Sequence, residues 1–368
     1  MPKKIKNCFY EKLTFEKMYH AHLRARKHKT YKKDVVIFEF NLENNLVNLI
    51  NNIKNKTYHV GKYNEFKVYE PKERTIKSLP YIDRIVHQWY VEEFIKQYIV
   101  PKFISTSFAC LTNRGTHKAV NNVQQNMRIY KRNYGDFWVL KCDIKKFFYS
   151  INPVILYNIM KKYIQDKALL DFTKILIFGN QIDINSVGIP IGNYTSQFFA
   201  NIYLNELDQY VKRVLKIKYY TRYMDDFIIL LKTKEECKIV KNKIEVFLNK
   251  FLKLELNLKS RYYPYKMGVN FCGYRIFCTH KLLRTNSKIK IKNNVKKWNN
   301  QYKLNKLDFY KVSQSINSWI AHASHCNSYL LQKKIFNKCN FLFNDNTYLQ
   351  ITNNLLEDMN TTISPKSK

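Results

Sequence analysis

Two stretches of strand length carry aspartates where an apolar segment stops, and any fold for this chain must accommodate both. Residues 137–144 (FWVLKCDI) form an apolar run that closes on Asp143, before Asn152-Pro153 opens a helix. Residues 219–231 read as two strands around Tyr223-Met224-Asp225-Asp226, a hairpin with acids at its tip. A carboxylate beside a core is expensive, and its pKa shifts unless something cationic compensates it. Either site alone reads as turn or helix-cap chemistry. Together they read otherwise, because neighbouring strands of one sheet could gather Asp143, Asp225 and Asp226, and bound divalent metal would offset their charge. Two ions about 3.5–4 Å apart, bridged by carboxylates, activate the attacking oxygen and stabilise the leaving one in phosphoryl transfer. Hard carboxylate ligands without His or Cys point to Mg2+ over zinc, with Mn2+ as a substitute.

The remaining pattern places these acids in a mixed fold. Residues 11–60 read as helices: Leu13, Phe15 and Met18 precede a basic stretch (Arg24, Arg26, Lys27, Lys29, Lys32, Lys33), and helical spacing runs from Phe38 to Leu49. Phe66-Lys67-Val68-Tyr69 alternates like a strand, Pro71-Lys72-Glu73-Arg74 breaks it, and residues 81–99 resume helical spacing. Gly188-Ile189-Pro190-Ile191-Gly192-Asn193 is loop chemistry before a helix striped by Phe199, Ile202, Leu207, Tyr210 and Val214. Residues 235–252 are helical, residues 271–276 read as a strand with Gly273 inside it, and residues 290–343 are all helical. Composition changes near residue 280 and turns polar from about 346. The architecture expected is α+β, an antiparallel sheet packed on helices, followed by a small helical domain.

Charge narrows the partner. The 64 Lys and Arg residues outnumber the 28 Asp and Glu by enough to give +36, which implies a polyanion, with nucleic acid first. No apolar run reaches the roughly 18 residues of a membrane span, and the amino terminus lacks a signal-peptide core, so no membrane and a cytoplasmic location are expected. The eight cysteines lack C-x₂-C spacing and are read as reduced. His322, His325 and Cys326 share helical spacing, but a zinc site lacks a fourth ligand there. With only eight glycines, each is expected where the backbone needs positive φ or close approach to a ligand.

Here a resemblance becomes specific. Tyr223-Met224-Asp225-Asp226 resembles the Y-x-D-D signature of reverse transcriptases, and residues 140–151 (LKCDIKKFFYSI) resemble the motif that precedes it in that family. The resemblance implies that Asp143 and Asp225 ligate the metals, that Ile144 offers its carbonyl, and that Asp226 supports the site. Phe148, five residues past Asp143, falls on the family's steric gate against a ribose 2′-hydroxyl, so DNA is the implied product. Residues 188–197 (GIPIGNYTSQ) resemble the loop of bacterial diversity-generating-retroelement and defence-associated enzymes, in which Ile191 stands where retroviral enzymes carry glutamine. Losing that amide predicts loosened base selection, while Gly192 lets the backbone approach the incoming nucleotide.

Residues 71–74 through Asp83-Arg84, and residues 107–119, resemble the fingers motifs. Arg74 and Arg84 are the triphosphate candidates, since guanidinium suits phosphate geometry. Lys259 resembles a lysine that protonates the pyrophosphate leaving group, and Phe271, Gly273 and Tyr274 resemble the primer grip. A right-hand polymerase is implied: extension, fingers and palm over 1–279, a helical thumb over 280–345 and a polar tail over 346–368. The implied activity is RNA-directed DNA synthesis at low fidelity from dNTPs and a primer, in protein diversification or antiphage defence. The implied partners are a structured non-coding RNA template and a small basic accessory protein. A non-catalytic RNA-binding scaffold and a template-independent or protein-primed transferase are the rival classes. The lack of a nuclease or zinc-finger segment after the thumb argues against an autonomous mobile intron protein. The oligomeric state is left open.

Overall fold

The computed structural model describes residues 4–69, 73–179 and 187–342. Pro71, Lys72 and the expected polar tail lie outside the described residues. Contacts divide the chain into two compact units, one ending at Pro264 and one beginning at Tyr265.

The first unit opens with α1 (Phe15–Arg26), α2 (Lys33–Glu39) and α3 (Leu42–Lys54), as the apolar spacing predicts. Thr14 caps α1 by accepting from the Lys17 amide. The antiparallel hairpin β1 (Asn64–Val68) and β2 (Arg74–Ser78) follows, with Phe66 opposite Ile76. Then α4 (Tyr81–Tyr90) runs on in helical form to Ile99. Its Trp89 is fully buried and donates from Nε1 to the Lys12 carbonyl at 2.9 Å, tying the amino-terminal segment to the core.

Next come α5 (Thr116–Tyr134), β3 (Trp138–Asp143), the single turn α6 (Phe147–Ser150), α7 (Pro153–Tyr163), α8 (Lys167–Phe178) and α9 (Tyr194–Gln209). The expected start of α7 is met, since Asn152 Oδ1 accepts from the Ile155 amide and Pro153 needs no donor there. The unit closes with β4 (Tyr220–Tyr223), β5 (Asp226–Leu231), α10 (Lys234–Phe247) and β6 (Arg261–Pro264). The apolar pattern had not singled out α5, because its buried Ala119, Val120, Val123, Met127 and Tyr130 form a narrow stripe in an otherwise polar helix.

These strands form an antiparallel sheet in the order β4-β5-β3-β6. Side chains alternate between faces along each strand, so register decides what meets what. Leu140, Cys142, Tyr220, Phe227 and Ile229 enter one core with Phe199 and Tyr203 of α9, Cys237 and Ile244 of α10, and Leu248 just after it. On β4, Thr221 donates to Asn122 of α5 at 2.6 Å and accepts from Asn126.

The second unit holds the sheet β7 (Val269–Phe271), β8 (Tyr274–Ile276) and β9 (Lys281–Leu283), then α11 (Thr285–Lys303), α12 (Phe309–Ala323) and α13 (Tyr329–Phe336). Ile291, Val295, Trp298, Val312, Ile316 and Ile335 make its helical core. The strand expected over 271–276 is instead a hairpin. Cys272 (φ 45°) and Gly273 (φ 88°) both take positive φ, the two-residue turn that suits the twist of paired strands. The composition change near 280 falls inside this unit, whose strands are tied to its helices by Tyr274 on His322 and by the Asn327 amide on the Lys281 carbonyl.

Candidate active site

Register gathers the acids. Asp143, the last residue of β3, lies opposite Asp226, the first of β5, and Asp226 lies opposite Tyr223 across the turn that holds Asp225. On adjacent strands and the turn beside them, the carboxylates feel one another. Burial raises the Asp225 carboxyl above its ordinary range, with Asp143 adding to the rise and Arg74 and Arg222 opposing it. Burial likewise pushes Asp226 up to about 6, opposed by Lys141 and reinforced by Asp143 and Asp225.

Each acid has its own support. Lys141, two residues before Asp143 and so on its face of β3, binds Asp226 Oδ2 at 2.8 Å. Asp226 Oδ1 is buried without a hydrogen-bond partner. The turn before β6 clasps Asp143: the Asn257 amide donates to its carbonyl at 2.7 Å, Asn257 Nδ2 to its Oδ2 at 3.1 Å, and its own amide donates to Ser260 Oγ. Ile144 forms a bridge with Leu256 beside it. Among the described residues no group of three or more His, Cys, Asp or Glu side chains stands ready-gathered around an ion. The carboxylates are instead held toward Lys141 and Asn257. The donor set nevertheless suits a hard cation. It offers oxygen donors only, one of them a carboxylate oxygen that is buried and unmatched, where burial and neighbouring acids raise the Asp225 and Asp226 carboxyls and a cation would offset that cost.

The glycine loop is packed against this end of the sheet. The Gly188 amide donates to the Ile151 carbonyl and the Ile189 amide to that of Phe148. A Cβ on Gly188 would lie 3.2 Å from the Tyr149 backbone, and one on Gly192 would lie 2.8 Å from the Lys77 carbonyl. Both glycines also hold positive φ, so these two positions need glycine for approach as well as conformation. The Ile191 carbonyl accepts from the Lys77 amide at 2.9 Å, joining the loop to β2. Phe148 is half-buried against Phe147.

The other candidates fall in different places. Arg74, at the start of β2, is exposed and close enough to Asp225 to favour its charge. Arg84 is spent elsewhere, on the Leu79 carbonyl at 2.8 Å, Ser78 Oγ and Asp34. Lys259 is exposed in the turn that clasps Asp143. In the second unit, Phe271 and Tyr274 are fully buried, and the Tyr274 hydroxyl donates to the His322 carbonyl at 2.7 Å.

A family model described as reverse transcriptase (RNA-dependent DNA polymerase) matches residues 60–276, which run from β1 through β8. The chain belongs to the reverse transcriptase family. Relatives of this reverse transcriptase include the COX1/OXI3 intron 2 protein of Saccharomyces cerevisiae, 25% identical over 209 residues, covering 39% of this chain and 24% of the relative. The group II intron-encoded protein LtrA of Lactococcus lactis subsp. cremoris is 23% identical over 287 residues, covering 58% of this chain and 46% of the relative. The chain thus spans less than half the length of either. A solved telomerase from Candida albicans, in complex with a fragment of telomeric RNA, aligns with 66% of this chain and 51% of its own at 10% identity and a TM-score of 0.44. No helix among the described residues is long and apolar enough to cross a membrane.

Sequence reasoning named the acids but missed what holds them. Lys141 lies inside the quoted stretch 140–151 but was given no role, and Asn257 and Ser260 were not singled out. A stronger signal was available in Arg222, a charge inside an apolar strand directly before Tyr223, which pairs with the buried Asp208 of α9.

Proposed function

We propose that this reverse transcriptase copies RNA into DNA, with Asp143, Asp225 and the Ile144 carbonyl holding two Mg2+ ions and Asp226 supporting them. The observation that carries the reading is the register that sets Asp143 opposite Asp226 with Asp225 in the adjoining turn. Bound there, such ions would ease deprotonation of a primer 3′-hydroxyl and offset charge on the α-phosphate during in-line attack.

The chain's own residues do the rest. Asn257 and Ser260 orient Asp143, Lys141 keeps Asp226 ionised by its charge, and Arg74 offers a guanidinium to the triphosphate beside Asp225. Phe148 bars a 2′-hydroxyl, Gly192 lets the backbone approach the nucleotide, and Ile191, without the amide of a glutamine, favours low fidelity. Lys259 serves the leaving group. The helices from α11 onward act as the thumb, and the Cys272-Gly273 turn offers a primer its backbone, since Phe271 and Tyr274 are committed to the core. A structured RNA template and a small accessory protein fit the +36 charge, in a cytoplasmic diversification or defence system.

The test is templated incorporation. Purified protein given a primed RNA template, dNTPs and Mg2+ should extend the primer, and Asp225→Ala should not. Sequencing the cDNA that copurifies with the protein reads the native template and its error rate. Absence of extension on RNA templates with either Mg2+ or Mn2+, together with no bound cDNA, ends the proposal.

A further inference from the structure

The turn that carries Asp225 is unfavourable for its own residues. Tyr223 pairs with Asp226 across the two-residue loop Met224-Asp225, and Met224 takes φ +56° while Asp225 stays outside the positive region. Tight hairpin loops with positive φ at the first central position alone normally put glycine there. A side chain in such a conformation costs on the order of 1–3 kcal/mol and persists only where the surroundings over-determine it.

Arg222 supplies that determination. Its Nη1 donates to the Met224 carbonyl at 3.0 Å and to Asn201 Oδ1 at 3.0 Å. Its Nε and Nη2 form a fork on the two oxygens of Asp208, at 2.7 and 2.6 Å. Both side chains of the pair are 0% exposed. The Tyr220 hydroxyl donates to Asp208 at 2.7 Å, so the acid is satisfied on more than one side. The Arg222 backbone is held too, its amide on the Thr106 carbonyl and its carbonyl accepting from the Phe108 amide.

A buried ion pair is a poor way to gain stability, since apolar residues of similar volume often do as well or better. Here Arg222 lies opposite Phe227, a residue of the apolar core, where an apolar side chain could also be accepted. What an apolar pair could not do is reach the Met224 carbonyl with a fixed donor. The fork on Asp208 leaves the guanidinium plane no freedom, so the remaining N–H is aimed at the turn.

We propose that Asp208 and Arg222 are positioning residues, a buried brace that locks the strained Met224 turn and so fixes Asp225 at its tip. What the fixed carboxylate then does rests on the polymerase reading above; the brace itself does not. Lysine cannot replace arginine, because one ammonium cannot fork on Asp208 and also hold the turn.

The experiment compares wild type with Arg222→Lys, Arg222→Lys plus Met224→Gly, and the apolar pair Asp208→Leu plus Arg222→Met. Amide hydrogen exchange over residues 223–227, measured without nucleotide, should quicken about tenfold or more in Arg222→Lys while the β3–β5 pairing keeps its protection. On primed RNA, kcat should fall by about tenfold or more with the dNTP KM nearly unchanged, the mark of an interaction realised in the transition state. Adding Met224→Gly, which takes the required φ unaided, should return about threefold or more of the lost kcat, because it removes the strain that the brace holds. The apolar pair should melt cooperatively and show the same loss, which keeps the test alive if Arg222→Lys does not fold. Wild-type exchange and kcat in either folded variant overturns the proposal, as does a loss that tracks global melting and is not relieved by Met224→Gly. If wild type makes no product at all, the polymerase reading fails, and the exchange result alone decides the brace.

Discussion

Each unit of the protein has an antiparallel sheet closed by a two-residue turn, and the two turns obey different rules. In the second unit, Cys272-Gly273 puts glycine at the second of its two positive-φ positions, as such a turn prefers, and cysteine at the first, between Phe271 and Tyr274, which fill the core. In the first, Met224-Asp225 puts methionine at positive φ and a carboxylate beside two others, with a buried arginine below. The buried polar groups follow the same division. Asp83, His87, Asp208 and Arg222 are all buried in the first unit, whereas Ser328 and Gln332 are the buried polar side chains among the described residues of the second. The lesson is that local chemistry explains the turn that only has to be stable. The turn proposed to carry the chemistry is held from outside its two residues, by Arg222 and, through it, by Asp208 of α9.

The sharpest way to break the comparison is at the acids. Asp225→Ala should lower templated incorporation by about a thousandfold or more, roughly 4 kcal/mol of transition-state stabilisation, while leaving the melting temperature level or raised. A level or raised melting temperature is expected because burial already disfavours that charge. A large loss of stability with residual activity would make the first turn structural, like the second.

Buried His87 gives the next effect. Burial lowers its pKa to about 3, and its Nδ1 lies 2.7 Å from Thr195 Oγ1 at the start of α9. The unfolded chain therefore binds this proton between about pH 6.5 and 3 while the folded chain does not, so stability is lost as pH falls through that window. Asp226, raised to about 6, works in the opposite sense, because its folded form takes up a proton first. The difference between wild type and His87→Asn isolates the histidine: it should move against wild type by about 1.4 kcal/mol per pH unit below 6.5 in denaturant titrations. A pH-independent difference would mean that His87 is not held neutral.

Phe148→Ala tests the loop beside the first turn. Discrimination against ribonucleotides should fall by roughly tenfold or more, the scale of a filled apolar contact, read as the ratio of kcat/KM for dNTP and rNTP. Unchanged discrimination would leave Phe148 as packing for Phe147.

Gly273→Ala probes the turn of the second unit. With φ +88° and a new Cβ 3.1 Å from the His322 ring, it should destabilise the second unit by about 1–2 kcal/mol in thermal melts. The smallest effect belongs to Met224→Gly alone. Strain released and chain entropy added nearly cancel, so stability should change by about 1 kcal/mol or less. A loss as large as that at Gly273 would show that Met224 is not strained.

Most of the first unit was legible because its apolar spacing is regular: the helices over 15–54, α4, α7, α9 and α10, and the strands ending at Asp143 and flanking Asp225 follow period and cap chemistry. Polar α5 escaped, since its stripe is narrow, and the hairpin over 269–276 shows in the sequence only as a strand over 271–276, because three-residue strands carry too little alternation to show a reversal. Among site candidates, the Arg84 side chain is committed to Leu79, Ser78 and Asp34, which residue type alone could not foresee.

The sequence by itself determined which carboxylates stand at strand ends, because a charge that interrupts an apolar run is visible in one dimension. Only the tertiary structure decided what makes those positions tenable. Lys141 reaches Asp226 across the sheet, Asn257 and Ser260 clasp Asp143, and Asp208 and Arg222 brace Met224. Lys141, Asn257 and Ser260 are brought there by register over long separations and Asp208 by helix packing, and the cost of a buried charge is met by whichever side chain the fold brings within hydrogen-bond reach.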